Sequence, residues 1–437
     1  MRDPLTMFCY TDLSGQVRGK GFPSRQIEKR LRGGIGWTPN NIMFTALGTI
    51  APGLWGSHGD VMLMPDESTG VAVDFGDGTP AEQFYLCDVV NTDGTAWECC
   101  PRSLLRNAAA DLLGETGLTL RATFEHEFIY SGANPRPADM YALDAVRRHG
   151  AFGEIYLGAL KAARVEVDSY LAEFAPGQFE VTVPPQEALA AGDTAVIVKE
   201  MARATAFRLG HSVSFSPRVT PDGLGNGVHI HFSLWDANGH PVSHDPARDF
   251  GIGVAAGQFV AGVVRHMPAL CAFTAPSPVS YLRLVSHAWT GVWSNVGVRD
   301  REAGIRICPT FGTSPEAAAR QFNFEFRAAD ATGNPYLQLA MILRAGLAGI
   351  REGLPPPVPT VGEDPETMSA SELSARRIVR LPTSAPAALA ALRADSVLQS
   401  FLPEMLLKAY LGNKEAEFAL AADWSAEDIC RRYAEIY

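Results

Sequence analysis

Residues 121–130 read RATFEHEFIY, and from Phe124 to Phe128 aromatic and charged positions alternate around His126. Side chains of an extended strand alternate faces, so Glu125 and Glu127 share one face while Phe124, His126 and Phe128 share the other. Neighbouring carboxylates repel and push each other's pKa upward, so something positive has to lie near them. A solvated strand face is the ordinary home of such glutamates, and other strands must decide whether this one belongs to a site.

Three further segments repeat the pattern. GQFEVTV carries Glu180, preceded by Glu173 in LAEFAPGQFE; GVHIHFSLWD carries His229 and His231; FNFEFRAAD carries Glu325 and Arg327. In the last two the polar pair is spaced i, i+2 with apolar residues between. Repetition over four strands implies a curved sheet with a polar concave face. Carboxylates with one neutral imidazole are the donor set of Mg2+ or Mn2+, whereas zinc more often recruits cysteine or more histidines. Five glutamates carry enough charge for two or three divalent ions, which would neutralise the pair in FEHEF.

The segment 282–309, LRLVSHAWTGVWSNVGVRDREAGIRICP, supplies Arg283, Arg299, Arg301 and Arg306 with few carboxylates to pair them. Guanidinium forks bind phosphate and carboxylate bidentately. Beside metal ions they suit phosphoryl transfer, where catalysis is mostly positioning and charge neutralisation; structural salt bridges are the alternative for any one of them. RGGIGW and DGLGNGVH match neither G-x-G-x-x-G nor a P-loop, and no G-x-S-x-G or Cys/His pairing points to covalent catalysis.

A formal net charge of −11 and the lack of any Lys/Arg-rich run argue against nucleic acid or an anionic membrane as partner, leaving small molecules. The seven cysteines show no C-x-x-C spacing and read as reduced, packed thiols. No secretory leader and no apolar run of roughly 20 residues is visible, so a soluble cytoplasmic protein is expected. With 437 residues and 46% hydrophobic content, two domains are expected: a small β-rich one over 1–97 and a main α+β one over 98–437. Within the second, helices are expected after Pro101, over 193–209 and from Asn334-Pro335 onward. The Pro- and Glu-rich stretch 351–372 reads as a surface loop.

FEHEF, APGQFEVTV, GNGVHIHFS, GIRICP and EFRAADATGNPYLQLAMILRAGLAGI, in that order, resemble the motifs of the glutamine synthetase superfamily. The resemblance spans nearly the whole chain. It implies an N-terminal β-grasp domain, a C-terminal catalytic domain with a curved antiparallel sheet flanked by helices, and stacked rings, a dodecamer, with active sites between subunits. By this likeness Glu127, Glu173 and Glu180 hold the ion near the amino-acid substrate, and Glu125, His229 and Glu325 hold the ion bridging the ATP phosphates. Arg283 and Arg327 match the arginines that bind the carboxylates of glutamate, and Gly225 the glycine whose carbonyl meets its amino group. Arg301 and Arg306 match the pair that stabilises the transferred phosphoryl group, while His231, Ser233 and Arg320, with Arg306, fall at nucleotide-side positions. The implied reaction phosphorylates the γ-carboxylate of glutamate from ATP, and an amine then attacks the acyl phosphate.

The departures point to the acceptor. Where glutamine synthetases carry a flap glutamate that helps deprotonate ammonium, counting from Arg283 reaches Trp289; where an N-terminal aspartate completes the ammonium pocket, counting back from Asp60 reaches Ala46. Ammonium offers four donors and a charge, so a pocket without carboxylates should bind it poorly, while an indole packs on an apolar substituent. A glutamate:amine ligase making a γ-glutamylamide is therefore expected, with a bulky, apolar or aromatic amine favoured. Leu224 replaces the usual asparagine before Gly225, which leaves the acid open to a relative of glutamate. The rivals are an ordinary ammonium-using glutamine synthetase, a non-catalytic structural or sensory relative, and a metal-dependent guanidino kinase.

Overall fold

The computed structural model describes residues 2–311 and 314–437. Leu5–Thr11 (β1) and Val17–Pro23 (β2) form a hairpin whose turn is closed by Asp12, which accepts from the amides of Ser14 and Gln16. With Ile35–Trp37 (β3), Val61–Pro65 (β4), Val71–Val73 (β5) and Glu82–Asn91 (β6) they build a six-stranded sheet of order β2-β1-β6-β4-β3, with β5 beside β6. A parallel β1–β6 pair in mid-sheet, a hairpin and a short helix, Ile27–Gly33, give the β-grasp arrangement.

The second sheet is built around one long strand. Leu118–Tyr130 (β7) buries every second residue, among them Ala122, Phe124, His126 and Phe128, and leaves Glu125 and Glu127 half-buried on the other face. Ser169–Ala172 (β8), Gln178–Thr182 (β9), Gln186–Glu187 (β10), Val213–Ser214 (β11), Val228–Asp236 (β12), Val296–Val298 (β13), Ile305–Ile307 (β14) and Phe324–Phe326 (β15) complete it. Among the described residues the sheet has nine strands: seven follow the path β13-β14-β15-β12-β7-β9-β8, and β10 and β11 also pair with β7. Helices Pro101–Thr116 and Ala188–Arg208 cover the apolar face of β7.

Val254–Thr274 and Pro335–Arg351 cross so closely that a Cβ on Gly262 would lie 2.1 Å from the Ala345 carbonyl oxygen; only glycine permits the contact. Asn334 caps the second of these helices through Tyr336 N and Leu337 N. Buried Arg102 joins the two sheets' neighbourhoods. It donates to both oxygens of Asp193 at 2.8 Å and reaches Asp66 at 2.7 Å and Asp88 at 3.2 Å.

Two expectations need correction. The helix expected over 193–209 begins earlier, at Ala188, because the alanine-rich residues before Asp193 are good helix formers with a face to bury. The stretch 351–372 is more than a surface loop. Thr360 is fully buried and bridges to Gly297, a 3-10 turn forms at Pro365–Thr367, and a helix starts at Ala370 under a Ser369/Glu372 capping box.

Candidate active site

The strand register assembles the site. Across neighbouring strands Glu127 faces Glu180, Glu125 faces His229, His231 faces Glu325, and Arg306 faces Glu325. On β12 the apolar positions Ile230 and Phe232 go to the core, so His229 and His231 project together with the carboxylates.

Glu125, His231 and Glu325 bring donor atoms within 4.8 Å of one another. His229 Nδ1 lies 2.8 Å from Glu125 Oε1 and 3.6 Å from Glu325 Oε1, and His231 Nε2 lies 3.4 Å from Glu125 Oε2. Burial alone would raise the pKa of Glu125, but its bonds to the two histidines outweigh it and hold the carboxyl well below the usual range. Glu325 is likewise buried, and Arg327, His229 and His231 pull it down to about 2. Arg306 Nη1 reaches its other oxygen at 2.9 Å.

A second cluster lies along β9. The pKa of Glu180 is pushed up to about 10, first by burial and then by Glu125, Glu127 and Glu173; that of Glu173 is raised by burial and by Glu127. The charges that act most strongly on Glu180 are other carboxylates. Gln178 orders the cluster: its Nε2 donates to Glu127 Oε2 at 3.2 Å, to the Gly225 carbonyl at 2.9 Å and to Asn226 Oδ1 at 2.8 Å. Gly227 N also donates to Glu127, at 2.8 Å. Crowded carboxylates with raised pKa, beside the buried Nε2 atom of His229 that has no hydrogen-bond partner among the described residues, fit a hard divalent cation.

Arg283, 3% exposed, donates to the Ala329 carbonyl and packs against Gly225 and Gly227. Arg327 contacts Glu325 and donates to the carbonyls of Arg301 at 2.8 Å and Trp289 at 2.7 Å. Arg301 is exposed, 5.8 Å from the centre of the Trp289 ring. Ser233 and Arg320 gather instead at Trp235: Ser233 Oγ accepts from its Nε1 at 2.9 Å, and the Arg320 guanidinium stands 6.0 Å from its ring. Arg299 is exposed directly after β13, at a φ of 56°.

Trp289 is 56% exposed, in a loop with His287, Trp289 and Gly291 all at positive φ. Ala46 is buried with Val279, Tyr433 and Tyr437. Leu224 is 44% exposed beside Gly225.

Four contributors escaped the sequence reading: Gln178, Cys308, Asn323 and Glu302. Gln178, Cys308 and Asn323 carried a signal, since each stands two residues from a recognised site residue on the same stretch, Glu180, Arg306 and Glu325. The Cys308 sulfur lies 3.7 Å from His231 Nδ1, and Asn323 Oδ1 lies 2.9 Å from that nitrogen. Glu302 carried none, because its partners lie on a separate loop.

Residues 98–433 match the glutamine synthetase catalytic domain and residues 3–97 the glutamine synthetase N-terminal domain. The chain belongs to the glutamine synthetase family. Glutamine synthetase family members are ATP-dependent ligases that form C–N bonds and use divalent metal ions, generally Mg2+ or Mn2+. A γ-glutamylpolyamine synthetase of Streptomyces coelicolor is 33% identical over 424 residues, covering 94% of this chain and 89% of that one. Among solved structures, a novel glutamine synthase homologue superposes with a TM-score of 0.92 at 39% identity, covering 100% of this chain and 99% of the other. Ligand-free GmaS superposes at 0.81 with 26% identity, covering 97% and 94%. No helix among the described residues is long and apolar enough to cross a membrane.

Proposed function

We propose that this glutamine synthetase relative joins the γ-carboxylate of glutamate to a primary amine other than ammonium, releasing ADP and phosphate. Arg283 and Arg327 bind the two carboxylates of glutamate, and the Gly225 carbonyl, held by Gln178, takes its amino group. A γ-carboxylate oxygen attacks the terminal phosphorus of ATP, and ADP leaves. Arg301 and Arg306 meet the negative charge of the moving phosphoryl group, a task for which Arg306 is fixed by Glu325 and Arg301 is exposed beside the Trp289 ring. The amine nitrogen then attacks the acyl carbon, phosphate departs, and the amine gives up a proton.

Glu127, Glu173 and Glu180 would hold one divalent ion, and Glu125, His229 and Glu325, with His231 alongside, another. Bound there, two to three Mg2+ or Mn2+ ions supply the positive charge that lets a carboxylate approach a polyphosphate. His231, Ser233, Arg306 and Arg320 line the nucleotide side. In this reading residues 1–97 are the N-terminal domain and 98–437 the catalytic domain. Subunits stack in rings, a dodecamer, with sites between neighbours, and the enzyme works in the cytoplasm.

The observation that carries the acceptor assignment is the exposed indole of Trp289 at the flap. Nearby carboxylates are already engaged: Glu302 by backbone amides, Asp364 by His287, and Glu366 by Ser286 and Arg380. Ala46 sits in an apolar cluster. A small cation finds no free acid there, whereas a substituent on the amine finds an aromatic face, with Leu224 exposed beside the glycine that meets the glutamate amino group.

The test is phosphate release from ATP with Mg2+ and glutamate across ammonium, methylamine, ethanolamine, putrescine, spermidine, benzylamine and aniline, with product masses. A preference for a substituted amine with the γ-glutamylamide mass is expected. Ammonium as best acceptor would overturn the assignment.

A further inference from the structure

The flap carries a contact that the reaction outlined above leaves unused. Glu302 follows Arg301 directly, yet its carboxylate turns toward the flap backbone: Oε1 accepts from Trp289 N at 2.6 Å and Oε2 from His287 N at 3.1 Å. Arg327 grips the same residue from the other side, donating from Nη2 to the Trp289 carbonyl. The two donors to Glu302, His287 and Trp289, are non-glycine residues with φ of 58° and 57°, a region that side chains adopt only where surrounding contacts over-determine it. Hydrogen bonds to an ionised carboxylate are strong enough to do so. Ser286 and His287 are tied outward as well, to Glu366 and Asp364.

We propose that Glu302 is the positioning residue of the acceptor entrance. By fastening the amides of His287 and Trp289 it fixes the indole beside Arg301, and so sets which amines reach the acyl group. It acts through Trp289, not on the substrate. Arg301, next to Glu302 in the chain, works on the phosphoryl group, so a single two-residue step couples the phosphoryl end of the site to the acceptor end. The link to acceptor choice rests on the amine-ligase reading; the clamp itself does not.

Two measurements on the full-length protein separate them. Amide hydrogen exchange at His287 and Trp289, followed without substrates, should quicken by about tenfold or more in Glu302→Ala and less in Glu302→Gln, which retains one acceptor oxygen. Unchanged protection would overturn the clamp whatever the acceptor is. Kinetics with the wild type's best acceptor should show the amine KM rising about tenfold in Glu302→Ala, with kcat and the ATP KM within about twofold, and partial recovery in Glu302→Gln. Lost protection with an unchanged amine KM would overturn the specificity role. A fall in kcat with a displaced pH profile would also overturn it, by showing that Glu302 handles the acceptor proton itself. If the wild type works best with ammonium, the amine assignment falls, and the exchange result still stands or falls alone.

Discussion

Glu127 and Glu180 face each other across the β7–β9 pair, and the charges that act most strongly on Glu180 are other carboxylates. With its carboxyl pushed up to about 10, first by burial, Glu180 is protonated at neutral pH in the metal-free protein. The folded value exceeds the unfolded one of about 4.5, so its favourable contribution is full below about pH 4.5 and is lost as pH rises toward 10. A divalent ion held at Glu180, as proposed, would have to displace that proton. The apparent affinity for Mg2+ or Mn2+ should therefore climb with pH, by up to about tenfold per unit below that pKa. Thermal unfolding with and without the ion, at pH 6.0 and 8.5, checks this: the metal-induced rise in Tm should be larger at 8.5. Glu180→Gln should raise the metal-free Tm at 8.5 and remove most of the metal-induced rise.

Gly227 lies between Arg283, the proposed glutamate-binding arginine, and His229, a proposed metal ligand. A Cβ there would meet Arg283 Nη2 at 2.5 Å and His229 Nε2 at 2.9 Å. Gly227→Ala should displace Arg283, raising the glutamate KM by about tenfold or more, with a smaller effect on the ATP KM and little on Tm. Equal effects on both substrates would mean that Arg283 does not bind glutamate.

Glu325 is 1% exposed and holds Arg306 and Arg327 as well as facing the two histidines. Replacing it by alanine leaves two guanidinium groups without their shared partner, a loss of about 3 kcal/mol in stability by analogy with other buried pairs broken from one side. Divalent ions present in excess should not restore the stability, because the donor itself is gone. Denaturant unfolding of Glu325→Ala with and without Mn2+ measures both.

The polar face was legible in the sequence because strands advertise themselves by period. Phe124, His126 and Phe128 alternate with the glutamates, and the structure buries all three; His126 is held neutral, its pKa brought to about 3 by burial and by nearby Lys199. Which strand neighbours which was not legible. Glu180 opposite Glu127 is a matter of pairing across about fifty intervening residues, and alternation is blind to it. The flap was less legible still. Its shape depends on positive φ at His287 and Trp289, residues with no turn signature, and on a carboxylate from a separate loop. The tether from 364–366 was hidden because a Pro- and Glu-rich stretch looks the same whether it is solvated or docked.

Trp289→Glu asks whether the side chain at the flap selects the acceptor. The backbone of residue 289 is fixed by Glu302 at its amide and Arg327 at its carbonyl, so a glutamate introduced there inherits the position without either contact being broken. Its carboxylate takes the place of an exposed indole beside Arg301. A carboxylate at this position favours a small cation such as ammonium, while loss of the aromatic face removes the contact that a bulky amine would use. The ratio of kcat/KM for ammonium to that for benzylamine should rise by about tenfold or more, since each tenfold needs only about 1.4 kcal/mol of differential binding. The glutamate KM should stay near the wild-type value, because Arg283 is untouched. An unchanged ratio would show that the flap side chain does not choose the acceptor.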